Sequence, residues 1–248
     1  MSTQVPTVVL VHGAFAESAS WDGVIDRLHE LDIDTIAIAN PLRSVTSDAA
    51  YLRDVISGLG KPVLLVGHSY GGIVITEAAA DNPAVVGLVY VSAFAPDHGE
   101  SALELSTHVP GSTLGDALTA YPVSTGGNEF TIRLDAFHDQ FAADVPAVVA
   151  QNMGRTQRPV TEVALSEGLP TSSPAWQTLP SWFVFGDQDR NIPAAELRLE
   201  AQRARARSVN EVSGASHAIA VSRPYEVTGT ILEALREFRT AGAAHDAA

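Results

Sequence analysis

The 248-residue chain contains no cysteine, only 2 methionines and 3 tryptophans, and 15 lysines and arginines against 29 aspartates and glutamates. Without cysteine there is no disulfide framework, no thiolate metal site and no cysteine nucleophile. The shortage of cations gives a formal charge of −14, which repels phosphate backbones and anionic membrane surfaces, so neither nucleic acid nor membrane is an expected partner. The Arg-rich stretch from Arg198 to Arg207, flanked and interrupted by Glu196 and Glu200, reads as a solvated helix face. Long hydrophobic runs are also missing: Val8 to Val11 is far too short for a signal segment or a span of about 20 residues. Met1 to Pro6 carries no basic residue, and a cytoplasmic protein is the expectation. The eight histidines form no H-E-x-x-H or paired-histidine pattern, so no metal is expected.

What is present is an ordinary globular composition, 46% hydrophobic and 18% charged, in a chain long enough for one large α/β domain. Thr7 to Val11 and Pro62 to Val66 are short β-branched runs ending at glycine, the pattern of buried strands; Thr35 to Ala39, Val85 to Ser92, Ser181 to Phe185 and Ser208 to Val212 resemble them. Between the strands lie helical stripes: Trp21, Val24, Ile25 and Leu28; Tyr51, Leu52, Val55, Ile56 and Leu59; and Val227, Ile231, Leu235 and Phe238 behind Pro224. Such alternation predicts a doubly wound, mostly parallel α/β sheet. It fails from residue 95 to 178, where breakers such as Pro96, Pro110, Pro122, Pro159 and Pro174 surround Phe130-Thr131-Ile132 and an apolar helical stretch from Phe137 to Met153. The chain therefore reads as a core of residues 1–94 and 179–248, with 95–178 an inserted cap of the same domain. The tail from Thr240 to Ala248 is expected to fray.

Gly67-His68-Ser69-Tyr70-Gly71 fits G-x-S-x-G, a pattern that arises by chance about 0.1 times in a chain this long. Its context is more specific than the pattern: a buried strand precedes it and a helical run, Gly72 to Ala79, follows, as a nucleophile elbow requires. Ser69 would sit in strained backbone, with no room for side chains at 67 and 71. A serine needs an imidazole to take its proton and a carboxylate to hold that imidazole's tautomer. His217 lies between the last weak strand and the last helix, which brings it to the carboxyl edge of the sheet. Asp189, on the turn Gly186-Asp187-Gln188-Asp189, is the acid of choice; Asp187 caps the turn, and Asp97 is the rival. Oxyanion donors should come from the backbone N–H groups of Tyr70 and of Ala14, in the loop His12-Gly13-Ala14-Phe15 after the first strand. His12 itself reads as a structural loop histidine.

Together, Val11-His12-Gly13-Ala14, the elbow, the acid turn and Ser216-His217 resemble an α/β-hydrolase-fold serine hydrolase over nearly the whole core. Within that superfamily the chain is similar to the small-cap group of plant hydroxynitrile lyases, methyl-ester esterases and bacterial esterases, because Asp187-Gln188-Asp189 and Trp21 fall at similar places. The resemblance implies Ser69 as nucleophile, His217 as base, Asp189 as orienting acid, and Ala14 and Tyr70 as oxyanion donors. Lyase members carry a threonine beside the oxyanion loop and a lysine after the catalytic histidine, where this chain has Gly13 and Ala218. Dehalogenases and most epoxide hydrolases of the fold use an aspartate in place of Ser69.

The expected function is cofactor-free hydrolysis of a small carboxylic ester, lactone or thioester through an acyl-enzyme on Ser69. The rival readings use the same triad for C–C or cyanohydrin cleavage, perhydrolysis or cofactor-free oxygenation, or make the fold a small-molecule receptor. Phe15, Tyr70, Phe94, Met153, Trp176 and Trp182 are candidates to line the substrate pocket.

Overall fold

A computed structural model of the protein describes residues 5–245, with side chains through residue 238. The first part alternates: β1 (Thr7–Val11), α1 (Asp22–Glu30), β2 (Thr35–Ile38), α2 (Val45–Leu59), β3 (Val63–His68), α3 (Gly71–Ala79) and β4 (Val85–Val91). The middle is irregular: α4 (Ala102–His108), α5 (Leu114–Ala117), β5 (Leu118–Pro122), β6 (Asn128–Ile132), α6 (Phe137–Phe141), α7 (Ala147–Thr156), β7 (Val160–Thr161) and α8 (Glu162–Ser166). Alternation then resumes with β8 (Ser181–Gly186), α9 (Ala194–Arg203), β9 (Ser208–Val212), α10 (Ile219–Ser222) and α11 (Pro224–His245).

Six strands form one sheet in the order β2-β1-β3-β4-β8-β9, and every neighbouring pair is parallel. The β-branched runs explain the arrangement. A strand buried on both faces must be apolar at every position, and β1 shows the consequence: Val9 and Val11 enter one core cluster while Val8 and Leu10 enter the other. Val24 and Leu28 of α1 and Val227, Ile231 and Leu235 of α11 pack on the second face. Leu52 and Ile56 of α2, Ile73 of α3 and Leu197 of α9 cover the first. The sequential order reverses at β1, whose neighbours β2 and β3 lie on opposite sides, so the loops after β1 and β3 open a crevice at the carboxyl edge.

The inserted segment contributes a small antiparallel sheet, β5-β6-β7, and short helices. Phe130-Thr131-Ile132 belongs to its central strand. The stretch from Phe137 to Met153 is not one helix: Pro146 cannot donate within a helix interior, and α6 and α7 lie on either side of it. Ile132, Phe137 and Phe141 of the segment are buried in the same cluster as α2 and α3, so cap and core share one apolar interior. At the other end α11 runs through His245, past the expected start of fraying at Thr240; residues 246–248 lie outside the described residues, as do Met1 to Gln4. Among the described residues no helix is long and apolar enough to cross a membrane.

Candidate active site

The turn from β3 into α3 carries Ser69 at φ +54, a left-handed conformation that an L-residue holds only when its surroundings enforce it. Those surroundings are backbone on both sides. A Cβ at Gly67 would meet Gly71 O at 2.6 Å, and one at Gly71 would meet Val11 O at 2.4 Å. Ser69 N–H donates to Val91 O (3.3 Å), and Ser69 O accepts from Gly72 N–H (2.9 Å) and Phe94 N–H (3.3 Å). Both neighbouring strands thus hold the serine above the sheet edge.

The loop after β8 brings Asp189 under the loop after β9, which carries His217. Asp189 Oδ2 accepts from His217 Nδ1 at 2.6 Å, while Oδ1 accepts the N–H groups of Asn191 (2.8 Å) and Ile192 (2.9 Å). Both residues are buried. A carboxylate only accepts, so Nδ1 carries the proton and Nε2 keeps its lone pair. Asp187 lies apart, half-buried, with its carboxylate accepting from Gly214 N–H (2.7 Å) and Ser213 Oγ (3.1 Å), bonds that hold its acid below the usual carboxylate range. Asp97 accepts from the N–H of its neighbour His98 (2.8 Å).

His68, next to Ser69, joins the two halves. Its ring lies 4.7 Å from that of His217, and its Nε2–H donates to His217 O at 3.0 Å. Complete burial, and then the neighbouring His217, push its imidazole well below the ordinary range, so it is a neutral strut. Ser69 Oγ has no hydrogen-bond partner among the described residues, and the Ser69 to His217 hydrogen bond is open in this structure.

His12 is held in the same neutral state. Its Nδ1–H donates to Gly13 O (2.9 Å), Nε2 accepts from Asn40 N–H (3.1 Å), and desolvation lowers its pKa to about 4. It shapes the loop that brings Ala14 beside the elbow. Gly13 is needed there: a Cβ would stand 2.6 Å from Ser69 Cβ and 3.2 Å from Ser69 Oγ, so the threonine of the lyases does not fit this backbone. The N–H groups of Ala14 and Tyr70 make no hydrogen bond among the described residues. Tyr70 is anchored at its far end, where its hydroxyl donates to the buried Asp48 at 2.9 Å.

Ser69, Ala14 and Tyr70 open onto one cavity of about 220 Å³. Phe15 and Phe94 line it, as the sequence suggested, together with Leu103 of α4, Leu165 of α8, and Ile192. The other aromatic and methionine candidates lie elsewhere. Met153 faces a second cavity, of about 300 Å³, that shares Phe15 with the first, because α7 turns Val149, Asn152 and Met153 in that direction. Trp176 is spent on a structural bond, its indole N–H donating to Pro96 O (2.8 Å), and it borders a polar depression with Arg203 and Arg205. Trp182 is buried in the core against Phe238. What sequence reasoning missed is the cap's grip on the histidine loop. Asp144 Oδ1 accepts from Ser216 N–H (3.1 Å) and Oγ–H (2.5 Å), and Phe141 O accepts from Ala218 N–H (3.0 Å).

The profile of the alpha/beta hydrolase family matches residues 8–229. The chain belongs to that family. It is 28% identical over 225 residues to an alpha/beta hydrolase, nvfD, of Aspergillus novofumigatus, a match covering 79% of this chain and 84% of the relative. To the alpha-hydroxynitrile lyase of Arabidopsis thaliana it is 26% identical over 251 residues, covering 88% and 93% of the two chains. Among solved structures, the methylesterase MES16 from Arabidopsis superposes with a TM-score of 0.78 at 16% identity, covering 94% of this hydrolase and 99% of that chain. That likeness shows the fold.

Proposed function

We propose that this alpha/beta hydrolase is a cofactor-free serine esterase acting on a small, uncharged carboxylic ester, with Ser69 as nucleophile, His217 as general base and acid, and Asp189 as the orienting carboxylate. The observation that carries the reading is the buried 2.6 Å contact of His217 Nδ1 with Asp189, beside a serine forced into left-handed backbone at the mouth of an apolar cavity. In the reaction His217 Nε2 takes the proton of Ser69 Oγ as the oxygen adds to the ester carbonyl. The N–H groups of Ala14 and Tyr70 receive the oxyanion, each such donor contributing about 2.7 to 4 kcal/mol in the transition state. The intermediate collapses with His217 protonating the departing alkoxide; water, deprotonated by His217, then releases the acid from Ser69. The open Ser69 to His217 hydrogen bond closes when substrate seats, as is common for catalytic contacts.

The names of the relatives include both an esterase and a lyase. Gly13 and Ala218 favour the esterase, because neither the threonine hydroxyl nor the lysine charge that marks the lyases is present. Cytoplasmic action on a small molecule, without a nucleic-acid or membrane partner, completes the proposal. Incubation with a fluorophosphonate followed by intact-mass measurement tests it: one adduct is expected on the wild type and none on Ser69→Ala or His217→Ala. A folded wild type that takes no adduct would sink the esterase and favour a receptor.

A further inference from the structure

The cavity above Ser69 holds one polar group that this chemistry leaves unused, the side-chain amide of Asn191. Its orientation follows from its neighbours. Gln140 on α6 places Nε2 2.9 Å from Arg190 O and 2.8 Å from Asn191 Oδ1, and its Oε1 accepts from Thr113 Oγ1 at 2.8 Å. A backbone carbonyl can only accept, so the end of Gln140 facing Arg190 must be its NH₂. That NH₂ then meets Asn191 at its oxygen. Asn191 Nδ2 is turned the other way and has no acceptor among the described residues, although the residue is only 2% exposed and lines the cavity.

The rest of the wall offers no comparable donor. The hydroxyls of Ser106 and Thr107 donate to Leu103 O, that of Ser112 to Asn191 O (2.9 Å), and that of Tyr70 to Asp48. No lysine, arginine or histidine lines the cavity, and Asp116 is its one charged residue, so an anionic substrate would be repelled. An amide N–H in a cavity wall that no protein acceptor takes up is left for water or a ligand in the cavity to satisfy.

Resting on the esterase reading, we infer that Asn191 is a specificity-determining residue whose Nδ2–H donates to an acceptor oxygen, ether or carbonyl, within the substrate group that fills the cavity. The preferred substrates are therefore uncharged esters with a second oxygen function, discriminated from their all-carbon counterparts.

The test uses matched esters in which one oxygen replaces one methylene. p-Nitrophenyl pentanoate is compared with its 3-oxa and 4-oxa analogues, and pentyl acetate with 2-ethoxyethyl acetate, for the wild type, Asn191→Leu and Asn191→Asp. Intrinsic differences in ester reactivity cancel when each oxa-to-methylene ratio of kcat/KM is divided by that of the wild type. In at least one series the ratio should fall by about tenfold in Asn191→Leu, the worth of one net hydrogen bond, mainly through KM. Asn191→Asp keeps the size and the bond from Gln140 but replaces the donor with an acceptor, and its ratio should fall at least as far. Ratios unchanged in both series would overturn the assignment of Asn191. Failure of the wild type to hydrolyse any of the esters, with no phosphonate adduct on Ser69, would instead overturn the esterase reading.

Discussion

Asp189 is bonded through both of its oxygens, and this decides what a minimal change would do. In Asp189→Asn the amide oxygen is retained by the two N–H donors, those of Asn191 and Ile192, so the NH₂ is turned toward His217. Nδ1 must then accept, Nε2 carries the proton, and the base proposed for Ser69 is lost. The expected loss in kcat is on the order of 10⁴ with little change in fold, measured by ester turnover alongside circular dichroism. A variant near wild type would show that another acid orients His217. The residues of this constellation were legible because each needs a particular chemistry in a particular local context. The choice of Asp189 over Asp187 was legible through chain order and resemblance, yet its two backbone donors were not, since they depend on a loop conformation that periodicity does not encode. The pocket was read least well. Phe15 and Phe94 sit next to motifs and fall where expected, whereas Met153 and Trp176 are separated from the cavity by the way the cap folds.

Among the elements, the strands and long helices follow from apolar pattern, and the six-stranded sheet forms from the six runs recognised in the sequence. The cap resists such reading because its elements are only two to ten residues long and take their geometry from tertiary contacts. Pro146 and the bonds of Asp144 illustrate this: the segment between α6 and α7 has no periodicity, but it is what fixes the loop of His217. Asp144 also lies 3.1 Å from Arg223, which precedes α11. Removing its carboxylate in Asp144→Ala frees the N–H and hydroxyl of Ser216 and loosens His217, the proposed base. The expected result is a kcat about tenfold lower at nearly constant KM, with stability reduced by about 1–3 kcal/mol. Asp144→Asn, which retains an acceptor, should restore most of the kcat. Equal losses in both variants would argue that charge, not positioning, is what Asp144 supplies.

At the scale of the whole molecule, buried titratable groups set how stability responds to pH. His12 has its folded pKa lowered from 6.5 to about 4 by desolvation, and burial pushes His68 down in the same direction. In that window the unfolded chain binds more protons, so stability rises with pH up to about 6.5. Glu200 of α9 acts in the opposite sense: desolvation raises its acid from 4.5 to about 8, only Ala95 N–H (2.8 Å) supports one oxygen, and the other is buried without a hydrogen bond. Here the folded protein binds more protons between pH 4.5 and about 8, and stability falls as pH rises through that range. The histidines outweigh it below pH 6.5, leaving a maximum near that pH and then a decline whose slope approaches about 1.4 kcal/mol per unit. Glu200→Gln keeps the size and the neutral form. It should match the wild type in urea midpoint at pH 4, where Glu200 is mostly protonated in both the folded and the unfolded chain, and exceed it clearly at pH 8, where the unfolded wild type has released its proton and the fold must bury a charge or hold the proton. Midpoints that coincide at both pH values would mean that Glu200 ionises in place at no cost to the fold, and the alkaline decline would then have to arise from the repulsion of a chain carrying fourteen excess negative charges.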